Sequence, residues 1–153
     1  MADLEPRLVV ATTGAWAGWK RWEGEPFEAV SGPFYSRDED AETVCAFRVE
    51  PKHMNGSGAM HGGALAAFAD SAIFGLSEPW WIETGGVTVG LNCQYIGPAF
   101  LGDLVEARAK TIQDTPQMVF ITAEASVAGR TVMTFTGIIK RKRKKPAAID
   151  TQT

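Results

Sequence analysis

The stretch from Asn55 to Ser77 constrains the chain more than any other. It reads Asn-Gly-Ser-Gly-Ala-Met-His-Gly-Gly and then turns apolar from Ala64 to Ser77, with Asp70 as the only charged residue. Small residues and glycines suit a loop whose backbone must approach something closely. Leu65, Phe68, Ala69, Ala72, Ile73 and Leu76 then recur at helical spacing and form one stripe. A surface helix would carry Lys and Glu on its other side. Here that side holds Ala66, Ala67, Ser71 and Phe74, so the helix is expected to be covered on several faces. A lone carboxylate in such a place is costly unless it is hydrogen-bonded or used.

The rest of the chain supplies strands around this helix. Thr43 to Val49 alternates, and Phe27 to Tyr35 reads as one short strand or two broken ones. Ser36 to Asp40 reads as the polar turn between them. The helix is expected from His61 or Gly62 to Ser77, stopped by Pro79 with Trp80 and Trp81 just beyond. Four strands follow. In the first, Val87, Val89, Leu91, Cys93 and Tyr95 alternate with Thr88, Gly90, Asn92 and Gln94. The next two centre on Val105 to Lys110 and Val119 to Val127. Ala128-Gly129-Arg130 turns the chain into the last, Thr131 to Ile139. Short turns imply antiparallel neighbours, so a curved sheet wrapped around one central helix fits the order. Trp16, Trp19 and Trp22 recur at spacing three and suggest a short aromatic-faced helix. It would either clamp the segment to the domain or line a pocket or subunit contact.

The 153 residues suffice for one domain with a real core. A single domain is expected over residues 1–153, with its core at about 27–142, a Trp-rich extension at 1–26 and a basic tail at 143–153. No apolar run reaches the ~20 residues of a membrane helix. The acidic start Met1-Ala2-Asp3-Leu4-Glu5 lacks the form of a signal peptide, so a cytoplasmic protein is expected. Cys45 and Cys93 are far apart in strand-like runs and read as reduced core thiols. His53 and His61 are the only histidines and there is no Cys-x-x-Cys, which argues against a metal site. Gly56-x-Gly58 has His61 where a dinucleotide loop needs its third glycine, and no Gly-x-Ser-x-Gly elbow exists. Net charge is −3, yet Lys140 to Lys145 is an unbroken basic run, without which 9 basic residues would face 18 acidic ones. No aromatic stacking positions accompany that run, so nucleic acid is not an expected partner.

Asn55, His61-Gly62-Gly63, Asp70, Gly86-Val87-Thr88, Tyr95, Pro98, Gly102-Asp103 and the final hairpin together resemble the hot-dog-fold acyl-CoA thioesterases. The likeness is to the phenylacetate-pathway branch, over about residues 40–142. The resemblance implies an α+β hot-dog fold. It implies homodimers, often paired into tetramers, with active sites between subunits: the carboxylate from one chain's helix, the loop and helix start from the other. It also implies acyl-CoA as substrate, with coenzyme A part of substrate and product and no other cofactor.

Residue by residue, Asp70 is the only ionisable side chain on the helix. It is the candidate base or nucleophile, the alternative being a carboxylate bonded to backbone at a subunit contact. Gly62 and Gly63 lie in the first helical turn, whose N–H groups lack intrahelical partners and where the dipole is positive. By the resemblance, the Gly62 N–H is the oxyanion donor and Gly63 lies against the substrate. Asn55 can donate to the carbonyl or shape an Asn-Gly turn. His61 is expected to fix the loop through a ring nitrogen, and Thr88 matches a hydroxyl position near the attacking water. Lys140, Arg141 and Lys142 are candidates for the phosphates of coenzyme A. Phe74 and Trp81, with Phe68 and Trp80, suggest a bulky apolar acyl pocket or simply core. The rival readings are a hydratase or dehydratase on the same fold and a non-catalytic acyl-CoA binder.

Overall fold

The computed structural model describes residues 6–142. Residues 1–5 and the basic tail expected at 143–153, with Arg143 to Lys145 of the basic run, lie outside the described residues.

Helix α2, Gly62–Leu76, buries the stripe read from the sequence: Leu65, Phe68, Ala69, Ala72, Ile73 and Leu76. The sheet wraps it with strand order β1-β2-β3-β4-β6-β7-β8-β5, every pair antiparallel. The strands are β1 Arg7–Val10, β2 Lys20–Glu23, β3 Tyr35–Glu39, β4 Glu42–Arg48, β5 Gly86–Tyr95, β6 Leu104–Asp114, β7 Met118–Val127 and β8 Arg130–Arg141. Phe68 packs its ring against Phe47 and Phe34 at centroid distances of 4.6 and 5.5 Å. Helix and sheet approach closely where side chains are missing. A Cβ added at Gly137 would lie 2.6 Å from Ile73, and one at Gly75 would lie 2.5 Å from Cys45 Sγ. Both cysteines are free thiols, Cys45 buried and Cys93 half-buried. The β7–β8 turn needs positive φ at Ala128 (48°) and Gly129 (78°), as a two-residue hairpin of matching twist does.

The N-terminal third departs from the expected pattern. The tryptophans do not share a helix: only Gly14–Trp16 forms a 3₁₀ turn, flanked by the β1–β2 hairpin. Positive φ at Gly14 (74°) and Gly18 (84°) breaks the helical run. Trp19 is buried, Trp16 stacks on Tyr35 at 4.0 Å, and Arg37 lies 4.4 Å over the Trp19 ring. Lys20 links Asp38 and Glu78 at 3.2 and 3.1 Å, tying β2 to β3 and to the segment after α2. The hairpin therefore extends the main sheet.

Three further expectations change. Pro26–Ser31 is a short helix, α1, with proline opening it, where a strand was read. Residues 36–39, read as a turn, belong to β3. Pro79 does not stop α2. Ser77 caps it, donating its hydroxyl to the Ile73 carbonyl at 2.6 Å, and Pro79 starts a further short helix, α3, Glu78–Trp81.

In β5 the expected single face is divided. Thr88 pairs with Ile139 and Gly90 with Ile138, so Val89 is an extra, bulged residue. Val87 and Val89 turn outward and are exposed, while Leu91 and Cys93 pack on the core. The bulge also puts Thr88 on the helix side of the sheet, in line with Ile139, which is fully buried. β5 pairs only with β8 and is an edge of the sheet.

Candidate active site

Two clusters lie along α2. The first is its N-terminus. His61, with φ −69° and ψ 133°, is the cap, and its Nδ1 accepts the Gly63 N–H at 2.9 Å. The N–H groups of Ala64 and Leu65 donate to the His61 carbonyl at 3.0 and 3.2 Å. Among the described residues the Gly62 N–H alone in this turn has no acceptor. It stands at the positive end of the helix dipole. The Tyr95 hydroxyl donates to the Gly62 carbonyl at 3.0 Å and holds the corner against β5.

The loop before it is built by Asn55. Its Oδ1 accepts from the Ser57 N–H and hydroxyl, both at 2.8 Å, and from the Ala59 N–H at 3.2 Å. The carbonyl end of Asn55 therefore shapes the turn, and its amide group is the end left for a ligand. His53 is buried, with Nδ1 accepting the Glu50 N–H, so Nε2 donates to the Ser31 carbonyl at 2.8 Å. His61 fixes the loop through a ring nitrogen, as expected. Gly63, expected against the substrate, has its N–H taken by that ring.

The second cluster is Asp70. Its Oδ1 accepts the Thr88 hydroxyl proton at 2.7 Å, a contact that depends on the β5 bulge. Burial, and then the Asp70 charge, push the nearby Cys93 thiol upward. Asp70 opens into a cavity of about 290 Å³. Ala67, Asp70, Ser71 and Phe74 form its floor, one face of α2 at spacings of three and four. Trp81 and Gly86 close one end. Trp22, Glu25, Phe27, Glu28 and Phe34 of the N-terminal segment lie over it. Phe74 and Trp81 are thus pocket residues. Phe68 is core, and Trp80 is half-buried with its carbonyl bonded to Arg141.

Burial pushes the Glu28 carboxyl up to about 7; the Phe34 N–H opposes the shift, Glu25 adds to it and Arg21 opposes it. Sequence reading missed Glu28, Phe27 and Phe34 as site residues, because the segment read as strand and extension; Trp22 lines the cavity, which was one of the two readings left open for the tryptophans. Tyr95 was noted for its place in the strand and not for its contact with Gly62.

Within one chain the basic strand end borders the Gly86 end of the Asp70 cavity, where Arg141 pairs with Gly86, and lies far from the Gly62 corner. Arg141 is committed to the Trp80 and Thr115 carbonyls and to Asp114 at 3.0 Å, so it staples the end of β8 and is not available for a phosphate. Lys142 lies along Gly85 and donates its N–H to the Gly85 carbonyl at 2.9 Å; Lys140 is exposed. Lys140 is opposite Val87 while Gly62 adjoins Tyr95, about 26 Å away along β5. Among the described residues no group of three His, Cys, Asp or Glu could hold a metal ion, and no helix is long and apolar enough to cross a membrane.

The family profile described as "Thioesterase superfamily" matches residues 57–115, which include α2 with Gly62 and Asp70, and Thr88 and Tyr95 of β5. A Pseudomonas aeruginosa protein described as a putative esterase is 30% identical over 119 residues, covering 76% of this chain and 89% of that one. The chain belongs to the thioesterase superfamily. Its fold is the hot-dog fold of that superfamily. The phenylacetic acid degradation protein PaaI of Thermus thermophilus, solved as a point mutant, superposes with a TM-score of 0.65. It is 30% identical, and the match covers 76% of this chain and 99% of that one. Human acyl-coenzyme A thioesterase 13 is 28% identical over 85 residues, 54% of this thioesterase-superfamily chain and 59% of the human one.

Proposed function

We propose that the protein hydrolyses acyl-CoA thioesters at a centre shared by two copies of the chain. The observation that carries this reading is Asp70. In a chain of the thioesterase superfamily, the one carboxylate of α2, on the floor of an aromatic cavity, accepts a hydroxyl proton from Thr88. Asp70 takes a proton from water, the water oxygen bonds to the thioester carbon, and the carbon–sulfur bond breaks. The proton passes to the leaving sulfur, giving free acid and thiol. The carbonyl oxygen becomes negative on the way and needs donors aimed at it. The Gly62 N–H, at a helix N-terminus with no acceptor among the described residues, suits that task, with the Asn55 amide as a second donor.

One chain cannot bring these groups together. Gly62 and Asp70 are eight residues apart on one straight helix, about 12 Å along its axis. The exposed edge of β5 offers the remedy, since an unpaired edge strand is a template for another strand. Two copies of β5 paired antiparallel about Leu91 set Thr88 of one opposite Gln94 of the other. The Asp70 cluster of one copy then adjoins the Gly62–Tyr95 corner of the second. A hydratase would need a histidine working with a carboxylate; His53 is held at both nitrogens by Glu50 and Ser31, and His61, whose Nδ1 takes the Gly63 N–H, meets no carboxylate among the described residues.

The test is release of free thiol from short, long and aryl acyl-CoAs by the wild-type chain and by Asp70→Asn. Wild type should turn over, and the variant should lose about 10²–10⁴-fold in kcat while keeping its oligomeric state. Tight binding without thiol release by the wild type would make the protein a binder. Equal turnover by both would remove Asp70 from the chemistry.

A further inference from the structure

The cavity beside Asp70 is roofed by a segment whose chemistry is one-sided. Its roof and floor carry the rings of Trp22, Phe34, Phe74 and Trp81. Among the described residues its ionisable lining is Glu25, Glu28 and Asp70, with no Lys, Arg or His. Its volume of about 290 Å³ is at the small end for ligand pockets, which fits a compact group.

Glu28 is the carboxyl of the roof. One oxygen, Oε1, accepts the Phe34 N–H over a long 3.3 Å. The other has no donor among the described residues. The charged groups around it come from three elements: Glu25 at the start of α1, Arg21 on β2 and Asp70 on α2. Arg21 is held by Glu23 at 3.1 Å and lines no part of the cavity. An acyl group ending in a carboxylate would therefore be buried among carboxyls, with no cation among the described lining residues to offset its desolvation. One ending in a hydroxyl or ammonium meets a carboxyl oxygen open to accept a hydrogen bond from it, beneath aromatic faces that favour aryl groups and cations.

We propose that Glu28 sets acyl specificity, selecting compact aromatic acyl groups that end in a hydrogen-bond donor, hydroxyl or ammonium, and rejecting those that end in a carboxylate. This rests on the thioester-hydrolase reading and adds to it what the N-terminal segment contributes. Glu28 does not touch the scissile carbonyl. Its effect is on binding of the far end of the acyl group.

The experiment uses four aryl-acyl-CoA thioesters of one length whose ring ends in hydrogen, hydroxyl, aminomethyl or carboxylate. For wild type and Glu28→Gln, kcat and KM are measured by thiol release at pH 6 and pH 8. Gln keeps the acceptor for Phe34 and loses the charge. Wild type should prefer the hydroxyl and aminomethyl thioesters to the carboxylate by at least about tenfold in kcat/KM, a gap a buried polar end group readily produces. The difference should lie in KM. Glu28→Gln should shrink the aminomethyl-to-carboxylate ratio by about tenfold and abolish its growth from pH 6 to pH 8. Calorimetric binding of the same intact thioesters to Asp70→Asn should give the same ranking. Thiol release with ratios unaffected by Glu28→Gln overturns the selection and leaves hydrolysis standing. No thiol release from any thioester, with the binding ranking intact, overturns hydrolysis and leaves the selection standing. Equal binding of all four overturns the selection outright.

Discussion

Gly62→Pro isolates the proposed oxyanion donor with the least disturbance to the fold. Gly62 is the first residue of α2, the helical position where proline is most readily accepted, because the N–H it lacks has no intrahelical partner. The preceding residue must then be extended, and His61 already is, at φ −69° and ψ 133°. A Cβ at Gly62 would lie 3.4 Å from the Tyr95 ring, an ordinary contact. The Gly63 N–H still reaches His61 Nδ1, and those of Ala64 and Leu65 still reach the His61 carbonyl. The net loss is one N–H. If that group holds the developing oxyanion, its removal costs about 2.7–4 kcal/mol in the barrier, or about 10²–10³ in kcat. The assay is thiol release from an acyl-CoA, with kcat and KM fitted separately, alongside thermal melting and gel filtration. Gly62→Ala, which adds bulk and keeps the N–H, is the control and should stay within about tenfold of wild type. A folded proline variant with wild-type kcat refutes the assignment. An alanine variant as slow as the proline one shows that crowding, and not the donor, is responsible.

Thr88→Val removes the hydroxyl that donates to Asp70 without changing shape; a hydrogen bond to a charged group is worth about 1.5–3 kcal/mol, so kcat should fall about 10- to 100-fold, and Thr88→Ser should recover most of it. His61→Ala removes a helix cap, so denaturant unfolding should show a loss of about 0.5–2 kcal/mol, with kcat falling much less than for Asp70→Asn. Glu28 gives stability a pH dependence of definite sign. Its carboxyl rises from an ordinary value of 4.5 to about 7 in the folded chain, so between these the folded state binds more protons than the unfolded one. Its contribution is therefore neutral below about pH 4.5, and it destabilises progressively up to about pH 7, beyond which the penalty is constant. Denaturation midpoints of wild type and Glu28→Gln should separate across that window in the variant's favour, and parallel curves would contradict it.

The parts of the fold that could be read from the sequence are those fixed by local periodicity. The α2 stripe and the alternation of β6 and β7 needed only a residue's near neighbours to be recognised. The failures are non-local. Trp16, Trp19 and Trp22 have helical spacing, and only their partners Tyr35, Arg37 and Trp81 reveal a four-residue strand between two turns. The β5 bulge is silent in the sequence, because hydrophobic alternation continues through Val89 while the register against β8 slips by one residue. A strict two-residue period would have turned Thr88 away from Asp70.

The site divides in the same way. Asp70 and Gly62 stand out in the sequence because each breaks a local rule, a charge in an apolar helix and glycines where a helix begins, while the oxyanion role proposed for Gly62 came from the family resemblance. Glu28 breaks none, being an acidic residue in the first turn of a short helix, and acquires meaning only from the cavity above α2. Arg141 misled in the opposite sense, since a basic run reads as a free charge until its carbonyl partners are seen. The missing Lys and Glu on the outer side of α2 join these observations. Around Ala67, Asp70, Ser71 and Phe74 that side is roofed by the chain's own N-terminal segment. Around Gly62 the cover is Tyr95, itself 54% exposed, so the cover there is incomplete in one copy. In the proposed dimer the second copy completes it, and the half of the helix left uncovered in one chain is the half that carries the unused N–H. A helix needing cover from two sources is therefore what would divide the carboxylate and the oxyanion donor between two chains.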